Sequence, residues 1–348
     1  MAQRGKQSYE YENMIYIQAA ASAVGTKEGE GPLREFFDFI AKDDLLGGDT
    51  WEKAESKFVQ KAVELVLDKM NMGTEQIRYV FAGDLLAQSI ASSGAVAGFE
   101  IPLFGIYGAC STSGEGMQLA SAVIEAGMAD RVIAVTSSHF ASAEKEFRYP
   151  LDYGSQRPLC ATWTVTGSGA FLLSGKKCQQ PSEPDSRLYH CRIAGITTGK
   201  IVDYGIKDSM NMGCCMAPAA ADTIAAHLND FHRRPEDYDK IVTGDLGSVG
   251  QTALFDLMDE KGYNIRNVHM DCGMTIYDSN EQDTQAGGSG CGCAAATCAA
   301  YLLRKIESGE WKRILFVPTG ALLSKVSFNE GQTVPGIAHA VVIEYTES

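Results

Sequence analysis

The sequence predicts an α/β fold made of one half written twice. Three observations carry that reading. A helix-end, turn and strand segment recurs at a constant offset, two apolar strands both close on Gly-Asp-Leu, and each copy holds a helix made of small residues. Helices alternating with apolar strands imply parallel-rich sheets covered by helices.

The recurring segment is residues 124–135 against residues 306–317. Ile124, Glu125, Gly127, Arg131 and Val135 match Ile306, Glu307, Gly309, Arg313 and Val317. Each copy reads as a helix end, a glycine stop, a short polar turn and an apolar strand. Residues 78–85 echo residues 240–246, each following a helical stretch, expected at 51–70 in the first copy and 219–231 in the second. The small-residue helices are expected at 111–126 and 290–307, where Gly and Ala allow close approach of two helices. The polar, proline-bearing stretch 176–185 separates the copies, so the halves are taken as 1–180 and 181–348.

Composition narrows the function. A formal net charge of −14 opposes binding to phosphate backbones, so nucleic acid is not an expected partner. No apolar run is long enough to span a bilayer, and the polar first residues lack a signal-peptide core. A protein on the cytoplasmic side is expected. The ten cysteines show neither a disulfide framework nor paired zinc spacing, and read as small buried residues in a reducing compartment. The acidic stretch 278–283 lacks an EF-hand's glycine and closing glutamate; a solvated loop is expected, and no metal site.

Cys110 follows an apolar strand and opens a helix, the setting of a nucleophile elbow. A helix N-terminus there offers free N–H groups and a partial positive charge. Around it, Gly108-Ala109-Cys110-Ser111-Thr112 resembles the nucleophile segment of ketoacyl-ACP synthase III, and 167–173 resembles the same enzymes' Gly-Asp-Gly-Ala strand, with Ser168 in place of the Asp. Residues 335–342 resemble their closing strand. These motifs resemble the thiolase superfamily over almost the whole chain, which implies a five-layer α-β-α-β-α sandwich and a homodimer joined through an edge strand of the first half. The resemblance also implies a catalytic His and Asn, but Thr243-Gly244-Asp245-Leu246 and Gly287-Gly288-Ser289-Gly290 stand at those positions. Of the six histidines, only His339 falls in a segment expected to reach Cys110.

A narrower resemblance, carried by 108–113, 147–150, 287–300 and 335–340, is to the stage V sporulation protein AD family of spore-forming bacteria. It implies binding of dipicolinic acid or its calcium chelate, with calcium entering only as that chelate. It also implies action beside membrane channel proteins of the same sporulation operon, at the cytoplasmic side of the forespore or spore inner membrane, in dipicolinate uptake and in its release at germination. No catalytic residue is then expected, Cys110 being a vestigial nucleophile.

A flat dianion needs donors at each end and an apolar slot between. The expected ligand set is Cys110, Ser111, Thr112, Arg148, Ser324 and His339, with Arg157 as a second arginine. A protonated His339 would strengthen binding as pH falls toward 6. Two other functions fit the same residues: an active condensing acyltransferase using Cys110, and a scaffold whose pocket is vestigial.

Overall fold

The computed structural model describes residues 2–147, 157–178 and 187–347. Its first half contains β1 (Ser8–Val24), α1 (Trp51–Met70), β2 (Tyr79–Gly83), β3 (Leu103–Gly105), α2 (Thr112–Glu125), β4 (Arg131–Ser138) and β5 (Gly167–Ser174). The second contains β6 (Cys191–Thr197), α3 (Met212–Asp230), β7 (Lys240–Thr243), α4 (Gly247–Glu260), β8 (His269–Asp271), α5 (Cys291–Thr297), β9 (Arg313–Val317) and β10 (Ala340–Tyr345).

These strands run β3-β2-β4-β5-β1-β6-β10-β9-β7-β8. Read outward from the centre, both halves give the same order, and in both only the outer three strands are parallel to one another. The duplication is therefore topological as well as sequential. β1 and β6 pair antiparallel at the junction, so the two sheets meet edge to edge. The 180/181 junction lies outside the described residues.

Alternation along the strands sorts side chains into three cores. Val80, Ala82, Ile133, Val135, Ala170 and Leu172 face outward onto α1. Phe81, Val132, Ala134, Phe171 and Leu173 face a central core, which also takes Val242, Ile314, Phe316, Val341 and Ile343 from the second sheet. Ile241, Leu315, Val317 and Val342 face α3 and α4. Met117 and Ala120 of α2 and Ala294–Ala296 of α5 fill the central core. The layers are thus α-β-α-β-α, as the sequence implies.

Two helices differ from their sequence expectations. α3 starts at Met212 rather than 219, because Asn211 caps it by accepting from the Cys214 N–H at 3.3 Å, and Pro218 is carried inside. The expected 290–307 helix is interrupted by a π-helical turn at Cys298–Leu302 before resuming at Leu303–Glu307. α5 lies almost against the strands: a Cβ on Gly169 would stand 2.4 Å from the Ala295 carbonyl. This is the close approach that the Gly/Ala composition serves.

Candidate ligand site around Cys110

β3 leads into a tight turn at 106–111 and then α2. Ala109 sits in the left-handed region at φ 51°, a conformation a non-glycine residue keeps only when its surroundings enforce it. Here they do. Thr112 Oγ1 accepts the Gly108 N–H at 3.0 Å, and Ser111 Oγ donates to the Gly108 carbonyl at 2.7 Å. Both halves press on the turn where only glycine fits: a Cβ on Gly83 would meet the Ile106 carbonyl at 2.4 Å, and one on Gly320 the Gly108 carbonyl at 2.3 Å.

The turn consumes the donors expected for a ligand. The Ser111 N–H bonds to the Gly108 carbonyl and the Thr112 N–H to the Ala109 carbonyl, and both side chains are fully buried. Ser111 and Thr112 therefore shape the elbow, and do not offer a carboxylate cradle.

Cys110 is buried, in an apolar cluster with Leu85, Cys291 and Phe147. Its thiol is among the groups that favour the ionised form of the Asp245 carboxyl. Asp245 is buried and accepts from two further segments, the Gly290 N–H at 2.9 Å and the Thr319 hydroxyl at 2.8 Å. Burial pushes its carboxyl up to about 7, against the lowering effect of those hydrogen bonds. Cys291 donates to the Ser137 carbonyl at 2.9 Å. Burial raises its thiol, and the nearby Cys110, Glu55 and Asp84 raise it further. Glu55 and Asp84 are themselves buried and raised, chiefly by desolvation. The surroundings of Cys110 are thus rich in carboxyls rather than cations.

Leu85 and Phe147 also wall a cleft of about 440 Å³, together with Tyr107, Glu146, Ser324 and Lys325. Cys110 packs behind Leu85 and Phe147 and is not itself on the cleft wall. Ser324 lies on it as expected, although its hydroxyl caps a short helix by accepting from the Ser327 N–H at 3.3 Å. Lys325 is a cation on this wall that the sequence reading did not single out.

His339 packs against the nucleophile helix: a Cβ on Gly114 would lie 3.2 Å from the His339 Cβ. Its Nδ1 accepts the Gly199 N–H at 3.3 Å, and burial pulls its imidazole down to about 4. It is therefore neutral at pH 6, which overturns the expected gain in affinity from its protonation. Arg157 is engaged elsewhere, paired with Asp283 at 2.9 Å and stacked over Trp163. Arg148 lies outside the described residues. Asp278 turns inward to cap its own loop, accepting from Asn280 N–H at 3.0 Å, and the described residues contain no metal-binding cluster of three or more His, Cys, Asp or Glu. All ten cysteines are free thiols.

Sequence comparison decides the family. Residues 5–344 match the family described as Stage V sporulation protein AD. The chain is 42% identical over 340 residues to the Stage V sporulation protein AD of Bacillus subtilis (strain 168), covering 98% of this chain and 97% of that one. The chain belongs to the stage V sporulation protein AD family. Its role is thereby one in sporulation. Among solved structures it resembles 3-oxoacyl-[acyl-carrier-protein] synthase III from Aquifex aeolicus VF5, with a TM-score of 0.55 at 12% identity, covering 95% of this chain and 100% of that one. It also resembles OleA from Xanthomonas campestris, with a TM-score of 0.57 at 14% identity, covering 97% and 100%. The fold is that of the thiolase-like synthases. No helix among the described residues is long and apolar enough to cross a membrane.

Asp245 is the principal residue that sequence reasoning passed over. The sequence marks it only as part of 243–246, where the resemblance implies a histidine. The signal was present, since Gly244-Asp245-Leu246 repeats Gly83-Asp84-Leu85, and both aspartates end up buried at the tips of corresponding strands.

Proposed function

We infer that this sporulation protein binds dipicolinic acid, free or as its calcium chelate, in the cleft beside Cys110, and does not transfer acyl groups. The observation that carries the reading is the exchange of a donor for an acceptor at Asp245. A condensing site needs hydrogen-bond donors aimed at a developing oxyanion. An ionised Asp245 accepts hydrogen bonds from Gly290 and Thr319 and would repel that charge. Loss of one such donor costs about 100- to 1000-fold in rate. What is left is a cleft with aromatic walls, Tyr107 and Phe147, that carries one cation, Lys325, and one carboxylate, Glu146. Its volume lies in the usual range for small-molecule sites, and its chemistry suits a planar ring bearing carboxylates.

In this reading Cys110 supports the site from behind Leu85 and Phe147 and is not a nucleophile, and calcium arrives only with the ligand. The protein works as a homodimer at the cytoplasmic face of the forespore or spore inner membrane, beside channel proteins of its operon, in dipicolinate uptake and germination. The test is calorimetry with dipicolinate, calcium dipicolinate and acetyl-CoA in parallel, combined with a condensation assay. Saturable heat with either form of dipicolinate is expected. Acyl transfer near ~1 per second, within the common enzyme range, would favour the acyltransferase instead.

A further inference from the structure

We propose that the turn after β2 is the selectivity wall of the cleft. Gln88 and Ser89 are held there in a strained backbone conformation that lets them contact the second carboxylate of a planar aromatic dicarboxylate whose first carboxylate meets Lys325. The proposal rests on the reading of the cleft as a dicarboxylate site, and goes beyond it by naming the residues that tell two carboxylates from one.

Two consecutive residues of this turn lie in the left-handed region, Gln88 at φ 58° and Ser89 at φ 49°. Neither is a glycine, an asparagine or an aspartate, the residues that adopt this conformation most readily. Such a pair persists only where the surroundings enforce it, and Asp84 does so. It is fully buried just past the end of β2 and spends both carboxylate oxygens on this segment. Oδ1 accepts the Leu86 N–H at 2.8 Å; Oδ2 accepts the Ser92 N–H at 2.8 Å and the Ser92 hydroxyl at 2.6 Å. The turn is thus tied on both sides, at Leu86 and at Ser92, to one side chain. The Ser89 N–H closes it by donating to the Leu86 carbonyl at 3.1 Å. Asp84 is therefore a positioning residue that acts through this turn.

What the strain achieves is placement. Gln88 and Ser89 both line the cleft, on the wall that the first half contributes, while Lys325 comes from the second half. The charges of the lining do not suffice for a dianion, because Glu146 offsets Lys325. Lys325 can meet one carboxylate; the other needs neutral donors. The Gln88 amide and the Ser89 hydroxyl are such donors, next to the aromatic faces of Tyr107 and Phe147. A hydrogen bond to a charged group is worth more than one between neutral groups, so these contacts favour a ligand with a carboxylate at both ends. A ligand with one carboxylate needs Lys325 alone. Glu100 supplies a comparison within the same half: it is also left-handed, at φ 56°, but lies on a different cleft.

The experiment is calorimetric titration of the full chain with dipicolinate and with picolinate, which keeps the ring and has one carboxylate, alongside urea unfolding. Gln88→Gly combined with Ser89→Gly removes both side chains and the left-handed strain, leaving only the smaller entropic cost of glycine. The unfolding constant of this double variant should fall about fivefold. Its affinity for dipicolinate should fall about tenfold, while its affinity for picolinate stays at the wild-type value. Gln88→Ala keeps the strained backbone and removes the amide, so dipicolinate affinity should fall about fivefold with no gain in stability. Glu100→Gly is the control, and should gain stability with no change in the binding of either ligand.

Unchanged dipicolinate affinity in the double variant or in Gln88→Ala, a picolinate loss equal to the dipicolinate loss, or a double variant no more stable than wild type would each overturn the role of the turn while leaving the binding site intact. A loss of dipicolinate affinity in Glu100→Gly as large as in the double variant would do the same. Absence of any dipicolinate binding by wild type would overturn the proposed function and this inference with it.

Discussion

A close approach between a strand of the first half and a central helix offers a quantitative test. Gly169 of β5 faces α5, and an alanine methyl there would stand 2.4 Å from both the carbonyl carbon and oxygen of Ala295 and 2.8 Å from its Cβ. All three lie about 1 Å inside ordinary contact, and two of the three are backbone atoms, so no side chain can rotate away. α5 must lift from the strand. Overpacking of this kind typically costs 1–3 kcal/mol, and rigid backbone puts Gly169→Ala at the upper end, about 3 kcal/mol. Unfolding entropy scales with chain length, which makes this about 4 °C in Tm for a chain of this size. The damage should reach the ligand site, because Gly290 at the start of α5 donates to Asp245 and Cys291 packs on Cys110. Gly127→Ala is the control. It lies in the left-handed region at φ 71° with nothing within 4 Å of a Cβ, so its cost is backbone strain alone, about 1 kcal/mol. Urea and thermal unfolding of both variants measure the difference. If Gly169→Ala costs no more than Gly127→Ala, close helix–sheet packing is not why this position is glycine.

Three further outcomes are expected. Cys110→Tyr should abolish dipicolinate binding by pushing Leu85 and Phe147 into the cleft while Cys110→Ser retains most of it, and Lys325→Ala should weaken binding about tenfold through one lost charged contact; calorimetry on the three variants decides. Burial pushes the Glu344 carboxyl up, but Arg313 and Arg192, both at 2.6 Å, more than reverse this and hold it below its ordinary value. That pairing contributes stability that is present above the unfolded carboxylate's pKa and lost as pH falls through the lower folded value. Glu344→Gln should therefore cost ~2 kcal/mol at pH 7, discounted for the partly exposed arginines, and progressively less as pH falls through the lowered folded value, read by urea unfolding over a pH series. Leu103 and Phe104 are exposed on the edge strand β3; a dimer through this edge should dissociate on Phe104→Glu, and sedimentation of wild type as a monomer at micromolar concentration would remove the dimer.

What the sequence made legible was periodic or repeated. The match of residues 124–135 with 306–317 revealed a duplication that the sheet order reproduces strand by strand, because a repeated pattern of apolar alternation and glycine stops imposes a repeated topology. The small-residue helices were legible for the same reason, since Gly and Ala in runs have few uses other than close packing. The π turn at Cys298–Leu302 was not legible, because a one-residue widening leaves the composition of a helix unchanged. The site was harder still. Ser111 and Thr112 look like anion-binding donors by position, yet the turn that positions Cys110 consumes their N–H groups, and only coordinates reveal where a backbone donor is spent. His339 packs on the helix that follows Cys110, at Gly114, but its charge state depends on how completely it is buried, which residue spacing does not encode. Asp245 shows the same limit from the other side. Its letter was read as the absence of histidine, when its position obliges it to bridge Gly290 and Thr319. Replacing a donor by an acceptor at the centre of a hydrogen-bond network reverses the polarity the site presents to its ligand. In the proposed reading, that reversal is what sets this site apart from a condensing one.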